Sequence, residues 1–290
     1  MLTKIVFILT EEYKNYIENN LLSERVQEEL CKHGSEVEWR GVNDFADKES
    51  MCAFLQNIVE KEKCLFLSDD MRILEGLQKE GIFTIALYHE GVSGILSGTQ
   101  YAVEGLEDID WEYLHKVHQR FCQIPWHITE TKRCHIREMG VEDIDDLYTL
   151  YADAEVTRYT EALFQDKEQE KQYIADYIEN IYKYYGYGTW LIHRKEDGKL
   201  IGRAGFNHRP GYEEVELGFV IGYSYWRNGY AFEVCGHLLQ IGRDVFEFER
   251  VQALVDKRNI ASISLLQKLG FIYKEDVLLD GQKLQRYVYE

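Results

Sequence analysis

Hydrophobic positions along the first 125 residues switch repeatedly between two spacings. Residues 4–9 form a β-rich run, residues 14–33 carry Tyr16, Ile17, Leu21, Leu22, Val26 and Leu30 at helical spacing, and residues 36–42 are extended again. The rhythm continues with a helix over 48–60, a strand over 64–67, a helix over 71–79 closed by Gly81, and a strand over 83–88. Strands that alternate with helices in this way predict an open α/β sheet joined by right-handed crossovers.

A helix over 111–121 is followed by Gln123-Ile-Pro-Trp-His127, which holds one of the two prolines in the chain. Proline stops a helix and fixes the local path, so a domain boundary is expected between 123 and 133. No Gly/Ser-rich tether lies there. Beyond it the pattern predicts a strand over 133–139, an amphipathic helix over 141–151 with acidic residues in its first turn, and a second helix over 168–185. Strands over 190–194 and 199–207 flank Lys195-Glu-Asp-Gly198, whose Asp-Gly suits a hairpin turn. A strand over 214–221, a helix over 231–246, a strand over 250–255, a helix over 260–269 and a closing segment over 283–289 complete the chain. The expected domains are 1–125 and 130–290.

Composition narrows the class. With 290 residues, 45% hydrophobic and 29% charged, the chain has material for two globular cores. No stretch approaches the apolar length of a membrane span, and the run Ile5 to Leu9 is too short for a signal-peptide core, so a cytoplasmic protein with no membrane partner is expected. Cysteines 31, 52, 64, 122, 134 and 235 stand singly, which predicts buried reduced thiols and no metal site. The net charge of −18 repels phosphate backbones, so nucleic acid is not expected as a partner, whereas a cationic acceptor is steered favourably.

Candidate chemistry concentrates in Glu214-Val-Glu-Leu-Gly-Phe-Val-Ile-Gly-Tyr-Ser-Tyr-Trp-Arg-Asn-Gly-Tyr-Ala-Phe-Glu233, a strand led into a helix by a turn around Gly229. A helix start leaves main-chain N–H groups unpaired and partly positive, which suits a diphosphate. Asn259-Ile-Ala-Ser262-Ile-Ser-Leu-Leu-Gln-Lys-Leu-Gly-Phe271 follows at a further strand's distance. Together the two stretches resemble the coenzyme A site of the GNAT acyltransferases, and the element order over about 133–290 is similar to the order of that fold. Tyr225-Trp-Arg-Asn-Gly-Tyr-Ala-Phe-Glu233 is most similar to the ribosomal-protein N-terminal acetyltransferase branch, with Trp226 as its marker. The resemblance implies an α+β domain with a mixed central sheet and acetyl-CoA as cosubstrate. It places the diphosphate on the amides of Arg227, Asn228, Gly229, Tyr230, Ala231 and Phe232, the pantetheine beside Phe219, Val220 and Ile221, and a further coenzyme contact at Asn259. Bland readings stand beside these: a ligand-free turn, a strand core and a helix cap.

Acyl transfer to an amine needs a deprotonated nucleophile, oxyanion stabilisation and a proton for the thiolate. Ser262 aligns with the serine that acts as acid in the ribosomal-protein branch. The tyrosine that many GNATs place four residues later is replaced by Leu266. Glu216 is the candidate base, with Glu213 or Glu214 as substitutes. The base that some members carry after the fifth strand is unmatched, since Leu254 is read at that position. Tyr184, Tyr185, Tyr187 and Trp190 lie in the segment that faces the acceptor in the family and offer stacking or cation–π contacts, though ordinary helix-to-sheet packing is the commoner role for any one of them. His193 and His208 are read as structural or exposed.

Leu65-Phe-Leu-Ser-Asp-Asp-Met-Arg-Ile-Leu-Glu-Gly-Leu-Gln-Lys-Glu-Gly-Ile-Phe-Thr-Ile85 resembles the late acidic motif of haloacid-dehalogenase-type proteins. Those proteins carry a nucleophilic Asp at the end of their first strand, where this chain reads Thr10-Glu11-Glu12. Residues 1–125 are therefore expected to form a degenerate, non-catalytic relative, with Asp69 and Asp70 capping a helix or solvated. The functional expectation is an acetyl-CoA-dependent N-acyltransferase acting on a small-molecule amine or a peptide N-terminus. Its rivals are a coenzyme-binding sensor without turnover and a phosphohydrolase working through the N-terminal domain. The sequence leaves the acceptor and the oligomeric state open.

Overall fold

Proline at 125 has no amide hydrogen with which to extend the helix before it, and the chain divides there in the computed structural model, into residues 1–124 and 125–290. The structure describes residues 1–45, 47–58, 60–92, 94–96, 98–107, 109–279 and 281–290.

In the first unit β1 (Lys4–Leu9), β2 (Glu36–Gly41), β3 (Cys64–Ser68), β4 (Thr84–Tyr88) and β5 (Ala102–Glu104) alternate with α1 (Glu11–Asn19), α2 (Leu22–Cys31), α3 (Lys48–Gln56), α4 (Met71–Lys79) and α5 (Trp111–Phe121). The described strands pair in parallel in the order β2-β1-β3-β4-β5, a doubly wound arrangement. Side-chain alternation along β1 feeds both faces. Ile5, Phe7 and Leu9 join α1, α2 and α5, while Val6 and Ile8 join α3 and α4.

The single helix expected over 14–33 is two helices. Asn20 Nδ2 donates to the Tyr16 carbonyl and the Leu21 N–H to the Glu18 carbonyl, and Leu21 takes a left-handed φ of 56°. Side-chain amides that compete for backbone groups end a helix in this way. The helix expected over 48–60 stops at Gln56, where Asn57 Nδ2 bonds the Ala53 carbonyl; Val59 lies outside the described residues. The three-residue β5 gave no sequence signal. Among the thiols, Cys64, Cys134 and Cys235 are buried as expected, but Cys31 and Cys52 are exposed.

The second unit is built on an eight-stranded sheet among the described residues, in the order β12-β13-β11-β10-β9-β8-β7-β6. Its strands are β6 (His127–Glu130), β7 (Cys134–Arg137), β8 (Thr189–Arg194), β9 (Leu200–Asn207), β10 (Val215–Ile221), β11 (Val251–Val255), β12 (Ile272–Leu279) and β13 (Gln282–Tyr289). The helices are α6 (Ile144–Tyr151), α7 (Lys167–Tyr177), α8 (Lys183–Tyr185), α9 (Tyr230–Asp244) and α10 (Ile260–Leu269). A π-helical turn, Ile178–Tyr182, joins α7 to α8, so the helix expected over 168–185 is continuous but not uniform. Trp190, Phe206, Leu217 and Leu238 meet in one core. The edge strands β6 and β12 were not expected, because both are largely polar and exposed and carry no buried alternation.

Neighbouring strands of this sheet pair antiparallel with one exception: β10 and β11 run parallel. Their register holds only Val215↔Val251 and Glu216↔Gln252. Beyond those two pairs β10 stays on β9 as far as Ile221↔Gly202, and β11 stays on β13 as far as Val255↔Gln285. The two middle strands therefore part toward their C-terminal ends.

Close backbone approach in the β8–β9 ladder depends on Gly205. A Cβ there would lie 1.9 Å from the Gly188 carbonyl oxygen and 2.8 Å from the Thr189 Cα. Gly205→Ala is expected to cost about 3 kcal/mol, read as a lower midpoint in urea unfolding of the intact chain.

Candidate active site

The parted strands leave main-chain groups without a sheet partner. Gly222 N–H donates to the Ile201 carbonyl; because hydrogen-bonded and non-bonded pairs alternate in an antiparallel ladder, Gly218 and Val220 bond toward β9, whereas Leu217, Phe219 and Ile221 point toward β11. Two of the three expected pantetheine residues, Phe219 and Ile221, thus face the gap. Val220 does not: its carbonyl lies against Gly202 of β9. The Ile221 carbonyl is already occupied, since Trp226 Nε1 donates to it at 2.7 Å. Trp226 therefore ties the end of β10 to the loop that follows.

That loop runs through two left-handed residues, Arg227 at φ 59° and Gly229 at φ 79°. Glycine adopts this conformation freely, while a non-glycine residue there stores about 1–3 kcal/mol. Such alternation aims successive N–H groups into one concavity. α9 then starts at Tyr230 with Gly229 as a cap that has no side chain to offer, and its first internal bond is Glu233 N–H to the Gly229 carbonyl. Among the described residues, no acceptor meets the N–H groups of Arg227, Asn228, Gly229, Tyr230, Ala231 or Phe232. Two of these residues have side chains engaged elsewhere. Asn228 Nδ2 donates to the Trp226 carbonyl at 3.1 Å, and the Tyr230 ring is buried under Arg133.

Arg133 was not anticipated from the sequence. It lies before β7, and its Nη1 donates to the Asn228 carbonyl at 2.9 Å, its Nε to Glu233 Oε2 at 2.6 Å and its main-chain N–H to Glu233 Oε1 at 2.9 Å. The guanidinium also sits 4.2 Å from the Tyr230 ring centre. Burial raises the Glu233 carboxyl, but hydrogen bonds from Thr131 and Arg133 outweigh it and hold the group below its ordinary range. One side chain thus holds the turn and the first helical carboxylate together across roughly a hundred residues of sequence.

The candidate base lies at the closed end of the gap. Glu216 follows Val215 at the last pairing of β10 with β11, and its carboxylate is engaged by Arg209 Nε. To accept a proton it must leave that pair. Glu214 is not a free substitute, because Arg286 Nη2 holds it at 2.8 Å and Arg250 Nη1 at 3.5 Å. Glu213 is almost fully exposed. Leu254 lies inside β11; the residue after that strand is Asp256, whose carboxyl is held down at about 2 by hydrogen bonds from Arg258. Asn259 caps α10, its Oδ1 accepting the Ser262 N–H at 3.2 Å, so the helix-cap reading is realised. Among the described residues the Ser262 hydroxyl is bonded to nothing.

The expected aromatic acceptor wall is dispersed. Trp190 is fully buried between Phe206 and Phe246, and Tyr187 packs on Phe246 and Phe248. Tyr185 stacks on His208 and only Tyr184 is largely exposed. Core packing explains the first two: strand residues that follow a helix are drawn inward by the sheet. His193 is half-buried, and burial lowers its imidazole.

In the first unit the acidic strand end is also not as expected. Asp70 caps α4, accepting from Arg72 and Ile73 N–H, but Asp69 is neither capping nor solvated. Its buried carboxylate accepts from Thr10 N–H at 2.9 Å and Thr10 Oγ1 at 2.6 Å, and lies 2.9 Å from His89 Nε2. His89 Nδ1 accepts from Gly91 N–H, so both imidazole nitrogens are used.

The comparisons bear on the second unit. The acetyltransferase (GNAT) domain family matches residues 133–272. The uncharacterized N-acetyltransferase p20 of Bacillus licheniformis is 32% identical over 155 residues, covering 53% of this chain and 86% of that protein. The chain belongs to the GNAT acetyltransferases. The uncharacterized N-acetyltransferase YoaA of Bacillus subtilis is 29% identical over 56% of this chain and 89% of its own length. A solved chain assigned as a GnaT-family acetyltransferase from Bordetella pertussis superposes at a TM-score of 0.50 with 20% identity, over 57% of this chain and all of the other. Acetyl transfer is the general reaction of the GNAT family, and the two parted strands with the loop after the first of them belong to the matched region. No described helix is long and apolar enough to cross a membrane.

Arg133→Ala removes the side-chain contacts to Asn228 and Glu233 and keeps the main-chain N–H bond to Glu233 Oε1. If the cradle holds the acetyl-CoA that GNAT acetyltransferases generally use, the variant is expected to lower affinity for it about tenfold, or about 1.4 kcal/mol, by calorimetric titration. Because Glu233 is depressed in the folded chain, the pair's contribution is complete above its ordinary value of 4.5 and is lost as pH falls through the lower folded value. Wild-type stability should therefore drop on acidification below pH 4.5 more steeply than that of Glu233→Gln, as thermal melts at stepped pH will show.

Proposed function

We propose that the chain is an acetyl-CoA-dependent N-acyltransferase that moves the acetyl group to an amine of a small molecule or a peptide N-terminus by direct attack. The observation that carries this reading is the run of unpartnered main-chain N–H groups from Arg227 to Phe232 at the open end of the β10–β11 gap. Arg227, Asn228, Gly229 and Phe232 are exposed residues, so the cradle is open to a ligand from solvent, and a diphosphate supplies several acceptors at once.

The donor set fits acetyl-CoA. Arg227, Asn228, Gly229, Tyr230, Ala231 and Phe232 would hold the diphosphate through their amides. The β11-facing carbonyls of Leu217 and Phe219, with the N–H of Ile221, would pair with the pantetheine amides as an added strand. Asn259, whose Nδ2 is free among the described residues, would add a contact from the start of α10. The bound thioester is the acyl donor; the chain's own part is to place it and the amine together and to manage two protons. The free N–H of Phe219 is suited to stabilise the oxyanion. The unbonded Ser262 hydroxyl is suited to protonate the departing thiolate. Glu216 is suited to take the amine proton, directly or through water, once Arg209 releases it. The ribosomal-protein branch is supported by the Tyr225-to-Glu233 stretch and by Ser262 in place of a later tyrosine. We read residues 1–125 as a haloacid-dehalogenase-like relative without catalysis, because Thr10 stands at the end of β1 and its hydroxyl is spent on Asp69. We place the reaction in the cytoplasm.

Three variants separate the roles. Gly229→Glu puts a side chain and a negative charge at a left-handed position inside the cradle, and is expected to abolish acetyl-CoA binding by calorimetry. Glu216→Gln should leave that binding intact while lowering kcat. Ser262→Ala should cut kcat by about 10²-fold with the acetyl-CoA KM little changed. Failure of the wild type to bind acetyl-CoA would end the reading, and binding without thiol release over a broad amine panel would turn it into a sensor.

A further inference from the structure

Regular strand alternation sends residues three apart to opposite faces, yet His127 and Glu130 of β6 share one. The reason is a register slip: His127 pairs with Arg137 and Thr129 with Ile136, so β6 advances two residues while β7 advances one. Cross-strand partners lie on the same face. His127 therefore lies on the face of Arg137, Glu130 on the face of its partner His135, and residues 135 and 137 of β7 share that face. A bulge of this kind re-aims a side chain.

The result is two imidazoles around one carboxylate oxygen. His135 Nδ1 lies 2.9 Å and His127 Nε2 4.0 Å from Glu130 Oε1, and one donor atom from each residue falls within 4.8 Å of the others. The ring centres are 6.3 Å apart. Lys195 Nζ takes the second carboxylate oxygen, Oε2, at 2.6 Å, which leaves Oε1 directed at both rings. All three side chains are exposed, so an ion can enter from solvent.

We propose that His127, Glu130 and His135 form a surface site for a zinc-type divalent cation, with water completing the coordination. Two imidazole nitrogens and one carboxylate are a common three-residue zinc set. Bonds of about 2.0–2.1 Å in a tetrahedral shell set donors about 3.3 Å apart, between the two separations to Glu130. Nitrogen donors select against Mg²⁺ and Ca²⁺, which prefer oxygen. The sequence gives no sign of the site, because the spacing 127, 130 and 135 becomes a cluster only through the slip. An ion here clamps β6 to β7, the hairpin whose connecting turn carries Arg133.

Chelator-treated full-length chain titrated with Co²⁺ is expected to develop saturable visible absorption at one ion per chain, removed by Zn²⁺. His127→Gln and His135→Gln should each weaken binding at least about tenfold, and Lys195→Gln should tighten it by removing a competing cation. Circular dichroism on each variant checks that the exposed substitutions leave the fold intact. Absence of the cobalt bands overturns the site, as does binding that persists undiminished in either histidine variant.

Discussion

The strand pair β10–β11 stops after two residue pairs, and the second unit is organised around that interruption. A sheet that parts in its middle exposes main-chain donors and acceptors on two inner edges, where they cannot pair with each other. Both strands stay anchored on their outer sides, β10 to β9 and β11 to β13, so the gap cannot close by sliding. Its unpaired groups persist as a polar slot in an otherwise apolar sheet. An extended chain bearing amides satisfies such a slot better than water, because it supplies donors and acceptors at strand spacing.

The loop beyond β10 continues the same logic with strain in place of separation. Left-handed backbone at Arg227 is unfavourable for an arginine, and it survives because neighbours on both sides hold it. Trp226 fixes the loop's beginning to the last carbonyl of β10. Arg133 holds its middle through the Asn228 carbonyl and its end through Glu233. The cradle is thus assembled from backbone groups, with side chains acting as clamps around it. This is why the clamping side chains are occupied while the N–H groups of the cradle are free.

What the sequence disclosed follows the same division. The strand, turn and helix from 214 to 244 are contiguous, so apolar spacing and Gly229 were enough to find them. Asn259 and Ser262 were found through the resemblance of residues 259–271 to the GNAT coenzyme site, and the cap that joins them spans only three residues. Arg133, Asp69 with His89, and Glu214 with Arg286 were invisible, since each pairing spans at least twenty residues and nothing local marks it. Val220 was misjudged for a finer reason: which residues of a strand face a gap depends on ladder alternation, which is fixed by pairing with β9 and not by composition. The aromatic run from Tyr182 to Trp190 offered two readings, an acceptor wall by family resemblance and ordinary helix-to-sheet packing, and packing holds for Trp190 and Tyr187. In β6 the single bulge was beyond any periodicity argument, since the strand is four residues long.

The charge of the chain gives the backbone cradle its rationale. At a net charge of −18 the long-range field opposes a coenzyme that is itself anionic and favours a cationic amine. Salt reduces that field beyond about 8 Å, so the contest is settled by what lies within a few ångströms of the diphosphate. Fixed N–H dipoles at a helix start act at that range and add no net charge to the protein. A cluster of lysines would bind the coenzyme as well, but it would cancel the field that draws in the proposed acceptor. On the proposed function, attraction of the anion falls to one turn of backbone with the Arg227 side chain beside it, which leaves the rest of the acidic surface to recruit the amine.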